Sequence, residues 1–262
     1  MQTPLSWMGF GQWAFLIAAF CFLMLTGWRW ERRRNAQEGP ARAELGAFIV
    51  SGAWALVVAG TGYATLVAQV FESFRTFAWL SLAFVLFTRD GRHTSVAPIR
   101  PVMAALIFVE TLQFILLMMN VRYGGNAAAQ AMIFQISMLF RLLVATGALV
   151  LVHNLYAGAM AQQRVALRWT CIAMATVWGY DLNLYTIAYL ARALPVELEA
   201  MRGVAQIGVA LLLAIGAVRG RSALRFSPSR AVAFQSLSLL VIGAYMIVMV
   251  GAAQSLASMP GS

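Results

Sequence analysis

Residues 132–151 read Met-Ile-Phe-Gln-Ile-Ser-Met-Leu-Phe-Arg-Leu-Leu-Val-Ala-Thr-Gly-Ala-Leu-Val-Leu. About 20 residues of helix cross the ~30 Å hydrocarbon core of a bilayer. The run is apolar on all sides, whereas a barrel strand would alternate apolar and polar residues over a much shorter length. One cation, Arg141, sits at its centre, where a charge facing lipid would cost several kcal/mol. This stretch therefore reads as a membrane-spanning helix whose polar side faces protein.

Similar runs recur outward in both directions. Spans are expected near 10–28, 45–68, 71–88, 101–120, 131–153, 169–190, 203–218 and 232–252. The chain is thus all-α, a single polytopic transmembrane helical bundle of about eight spans over residues 1–262. The apolar stretch of the third span, Phe74–Phe87, is short and is entered through Glu72 and Arg75 at a helical i,i+3 spacing, so this helix is expected to begin in the membrane interface. Pro98 and Pro101 mark the start of span four, and Gly124-Gly125-Asn126 and Pro195 mark turns.

The chain is 61% hydrophobic, with a formal net charge of +10. In a soluble protein that charge would point to nucleic acid, but here the basic residues fall mostly in short connections between apolar runs, so no nucleic acid is expected. Loops 29–44, 89–100, 154–168 and 219–231 hold fourteen arginines, against four on the other side: Arg75, Arg122, Arg192 and Arg202. The positive-inside rule then puts the N-terminus outside the cell, in a multi-pass protein of the inner (plasma) membrane. Phe10–Trp28 is too long for a signal-peptide core and reads as an uncleaved first span.

The chain has no lysine, which removes Schiff-base pigments and other lysine-linked cofactors. Cys21 and Cys171 lie inside spans and read as small hydrophobes. Apart from Asp90, His93 and His153 lack the carboxylates and thiols a metal site would add, so neither metal nor cofactor is expected. No catalytic motif occurs, and the second intramembrane aspartate of an aspartyl protease is missing.

Three ionisable residues stand near mid-span: Glu110, Arg141 and Asp181. Glu110 and Arg141 fall at similar depth on consecutive helices, so they are expected to pair, with Gln113 and Ser137 one turn away completing the contacts. Asp181, for which the sequence shows no second basic partner, lies on a polar and aromatic face with Trp178 at i−3 and Tyr185 at i+4. Asp181, Tyr185, Glu110, Arg141 and Asn183 are the expected intramembrane polar site. His153, expected to cap or dock a helix end, joins Asn154 and Arg230 as the expected output side.

Several blocks carry a family likeness: Val152-His153-Asn154-Leu155-Tyr156, Arg168-Trp169, Tyr180-Asp181-Leu182-Asn183-Leu184-Tyr185, Arg202-Gly203 and Ser229-Arg230-Ala231-Val232-Ala233-Phe234, with a fainter one at Glu72-Ser73-Phe74-Arg75 and Ala78-Trp79-Leu80. In order and spacing these resemble the N-terminal membrane region of the sensor histidine kinases of the PEP-CTERM/exosortase protein-sorting system, the PrsK family. The resemblance implies an input domain that signals to cytoplasmic GAF and kinase domains, and through a response regulator to exopolysaccharide and sorted surface proteins. Those catalytic domains are not within these 262 residues, so kinase activity is expected only of a chain continuing past Ser262. Gln235 departs from the family, which has a histidine there.

The expected function is signal sensing within the membrane, with the bilayer and a cytoplasmic kinase or response regulator as partners and a homodimer as an open state. The alternatives are a small proton-coupled transporter, with Asp181 as proton carrier and Glu110–Arg141 as gate, or a scaffold for a partner protein.

Overall fold

The computed structural model of the chain describes residues 4–33, 40–88, 99–123, 125–159 and 161–219. Among these residues every element is a helix: α1 (Pro4–Arg33), α2 (Pro40–Thr61), α3 (Leu66–Thr88), α4 (Arg100–Arg122), α5 (Ala127–Ala157), α6 (Ala161–Ala191) and α7 (Val196–Arg219). All but α6 contain a segment long and apolar enough to cross a membrane. The chain is thus a multi-pass membrane protein. The expected eighth span, 232–252, lies outside the described residues, as do Arg230, His93 and Asp90.

Local chemistry sets the helix ends. Pro101 occupies the first turn of α4, where its missing N–H costs nothing. Asn126 caps α5, its side-chain oxygen accepting from the Ala129 N–H at 3.1 Å. The α2–α3 turn passes through Gly62 at φ 84°, a left-handed conformation that glycine enters without a Cβ clash. Short turns at 62–65, 123–126 and 192–195 make the helices they join antiparallel, so α1, α3, α5 and α7 begin at one end of the bundle, hereafter the N-terminal end.

Each helix packs on its neighbours in the chain and α7 packs back on α1, closing a ring, with α3 also against α5. Close approach rests on small residues. A Cβ at Gly203 of α7 would stand 2.8 Å from Ala14 Cβ and 3.0 Å from the Phe15 backbone nitrogen of α1. Small residues at interfaces are how membrane helices gain dispersion contacts in a solvent as apolar as themselves.

The interior has two unlike halves. Toward the far end, all seven helices contribute to one buried apolar cluster that includes Phe22, Phe48, Leu82, Leu106, Leu155 and Met174. Toward the N-terminal end the interior is polar and charged. Large apolar side chains such as Trp13, Phe20, Phe108 and Leu211 are exposed, as lipid-facing surfaces require.

Candidate functional site

The third helix, α3, starts at Leu66, and Glu72 and Arg75 are inside it and buried. They survive there because their charges are neutralised by helices distant in sequence. The Arg141 Nη1 of α5 lies 2.6 Å from Glu72 Oε2. The α7 residue Arg202 pairs with Glu72 Oε1 through Nη2, and the Tyr185 hydroxyl of α6 donates to the same oxygen.

Asp181 closes the second half of the cluster. Arg202 donates to its Oδ1 from Nε at 2.9 Å and from Nη2 at 2.6 Å, and Arg75 Nη2 donates to Oδ2 at 2.7 Å. The expectation that Asp181 has no second basic partner is therefore corrected: it has two arginines, both assigned to loops in the sequence reading. Arg141 and Arg202 each donate to the Tyr185 oxygen at 2.9 Å. The Arg75 and Arg202 guanidiniums also lie 4.2 and 4.9 Å from the centre of the Trp54 ring of α2, within cation–π range. At 1.5 Å of rise per residue, these groups sit roughly 9–21 Å in from the N-terminal end.

Glu110 and Arg141 do not form the expected pair, because Arg141 is committed to Glu72. Glu110 is buried and shares with Arg141, Asp181 and Tyr185 the wall of a cavity of about 10 Å³. Gln113 and Ser137 do complete a contact between α4 and α5, Nε2 to Oγ at 2.5 Å. Trp178, Asp181 and Tyr185 share the buried face of α6, as their spacing requires. Asn183 is exposed and drops out of the site, since two residues along a helix turn about 200° away. His153 is exposed and Asn154 buried near the end of α5; the cap is Gly158, whose N–H donates to Asn154 O at 2.9 Å, so His153 does not cap it.

Glu199 and Gln206 were not singled out in the sequence. With Arg202 they occupy i, i+3 and i+7 of α7, and all three are buried. Glu199 Oε1 is 3.6 Å from Arg202 Nη1, while its Oε2 has no hydrogen-bond partner. A buried polar atom left unpaired costs about 1–3 kcal/mol.

Two cavities open above the cluster near the N-terminal end. One, of about 100 Å³, is floored by Glu72, Arg141, Tyr185 and Arg202 and rimmed by Gln69 and Asn120. The other, of about 360 Å³, lies among α1, α2 and α7. Val58, Tyr63 and Glu199 line both and so form the partition. Burial, and then the carboxyls of Glu199 and Glu197, hold the Tyr63 phenol above its ordinary pKa, so its hydroxyl keeps its proton as a donor.

Among the described residues no cluster of three or more histidine, cysteine or carboxylate side chains is arranged to hold a metal ion. Cys171 is buried, Cys21 partly so, and both are free. The arrangement can hold a small polar molecule and connect it to four helices at once. No family model, curated protein or solved structure matches the chain.

Proposed function

We propose that the chain is the sensing domain of a membrane signalling protein. Its ligand reaches the polar cavity from the N-terminal end and acts by redistributing the ionic cluster that ties α3, α5, α6 and α7 together. The observation that carries this reading is the unlike character of the two halves. A cavity floored by paired charges sits above an apolar plug to which all seven helices contribute, so a ligand enters and leaves on one side. A cluster of alternative ion pairs is a plausible bistable element, since its members have few arrangements and each carries a large desolvation cost.

The arginine distribution supports an N-terminus outside the cell and about eight spans in an inner (plasma) membrane, with α6 among them and 232–252 as the last. Removing Arg75 and Arg202 from the outer-loop count sharpens that bias. The cavity then faces outside. The likeness to PEP-CTERM/exosortase sensor kinases supports a cytoplasmic kinase and response regulator as the output, in a chain that continues past Ser262 or through a separate partner.

The transporter alternative gives Asp181 the role of proton carrier, but both Asp181 oxygens already accept from guanidinium donors, and among the described residues an apolar cluster fills the far half of the bundle. Two measurements on one protein test the choice. Wild-type chain in vesicles should hold an imposed pH gradient, and a chromosomal Arg202→Lys substitution should change transcription of exopolysaccharide and surface-protein genes. Sustained proton flux through the wild-type chain, or unaltered transcription in the variant, defeats the sensor reading.

A further inference from the structure

We infer that the larger cavity, among α1, α2 and α7, is a binding site for a small organic cation, an ammonium carried on an apolar body. The inference deepens the sensing reading by naming a ligand class, and it rests on that reading only for what binding does afterwards.

Two observations converge. First, the cavity presents one buried carboxylate: Glu199 is only 3% exposed, and its Oε2 lacks a partner although the residue lines the cavity wall. An acceptor of this kind is completed by an N–H donor, not by an anion. Second, the remaining wall is mostly apolar and includes the aromatic rings of Trp7, Phe15 and Tyr63, with Gln12 and Thr61 as its other polar side chains. Aromatic faces attract ammonium groups and an apolar wall holds their hydrocarbon, which together select an organic cation over a hydrated inorganic ion.

The volume sets the ligand's size. An apolar cavity of about 150 Å³ holds benzene, so about 360 Å³ takes a ring and a short amine chain. Glu199 also faces Arg202 and lines the polar cavity, so occupation would compete for the Glu199 carboxylate and reach Glu72 and Asp181 through Arg202.

The test is calorimetry of 2-phenylethylammonium chloride titrated into the full chain in nanodiscs, with empty nanodiscs subtracted to remove partitioning into lipid. The neutral isostere 3-phenylpropan-1-ol serves as the charge control. Saturable binding of the ammonium is expected, with the alcohol weaker by about tenfold or more, the scale of a desolvated charge pair. Glu199→Gln, which keeps shape and removes charge, should lose that preference. Gly60→Leu places bulk at a cavity-lining position whose added Cβ meets nothing within 4 Å, so it blocks the cavity without disturbing the ion cluster and should weaken both compounds. Equal binding of ammonium and alcohol, or no saturable heat with the ammonium, overturns the proposal. Binding without any change in transcription would keep the ligand class and defeat the sensing role instead.

Discussion

Replacing Arg202 with methionine should be among the most damaging single changes in the bundle. The substitution keeps length and apolar bulk while removing every polar contact of the guanidinium: two hydrogen bonds to Asp181 Oδ1, one to Tyr185, the pair with Glu72 and the longer one with Glu199. Glu72 retains Arg141 at 2.6 Å and Asp181 retains Arg75 at 2.7 Å, whereas Glu199 loses the one cation within ion-pair distance among the described residues. Removing one partner of a buried ion pair costs about 3–5 kcal/mol, because the stranded charge has no water to turn to. For a chain of this size that corresponds to roughly 10 °C in melting temperature.

The comparators follow from the same geometry. Arg75→Met should cost roughly half as much, since Arg75 makes one short bond, to Asp181, and its Nε and Nη1 are already unpartnered. Arg122→Met, at an exposed position, should cost nothing measurable. Thermal unfolding in detergent, followed by tryptophan fluorescence, ranks the three. Combining Arg202→Met with Glu199→Gln should restore part of the loss, because the second change removes a stranded charge. If Arg202→Met and Arg122→Met melt within about 2 °C of each other, the cluster does not hold the bundle together and the reasoning fails.

Two glycines make a second prediction: Gly203→Ala should destabilise by about 1–3 kcal/mol, and by more than Gly147→Ala, because its Cβ meets the α1 backbone at Phe15 whereas the Gly147 Cβ meets the movable end of the Leu106 side chain; the same melting assay decides. The proposed orientation predicts that, in a chain whose native cysteines have been removed, Tyr123→Cys is labelled by a membrane-impermeant maleimide in intact cells. Val165→Cys should label only after permeabilisation, and the reverse pattern would invert the topology.

The apolar runs were readable because a spanning helix must be apolar over its full length, and α1 to α7 each overlap one of the eight expected spans, although the second, 45–68, runs across the turn at 62–65 into the start of α3. Arg141, Glu110 and Asp181 stood out for the same reason, as charges in the middle of such runs. Glu72, Arg75, Glu199 and Arg202 did not, because each lies within ten residues of a helix start, where a charge looks like a loop residue. A signal was present nonetheless. Glu199, Arg202 and Gln206 at i, i+3 and i+7 form one polar stripe on an otherwise apolar helix, and Glu72 and Arg75 begin another. The partner choice of Arg141 was not legible, since Glu72 and Glu110 are both acids on helices packed against α5, and only packing decides between them.

The reach of the cluster along the chain also bears on how the protein is made. Glu72 and Arg75 leave the ribosome well before their partners, with 106 residues separating Arg75 from Asp181 and 130 separating Glu72 from Arg202. Arg141 of α5 reaches Glu72 first, and at about 5–20 residues per second α3 waits on the order of 5–25 s for the remaining partners on α6 and α7. Over that interval its own i,i+3 pair, 3.9 Å apart, is the compensation it carries within itself. Its full immersion in lipid is thereby tied to the successive arrival of α5, α6 and α7, making the cluster a checkpoint in assembly as well as a feature of the finished bundle.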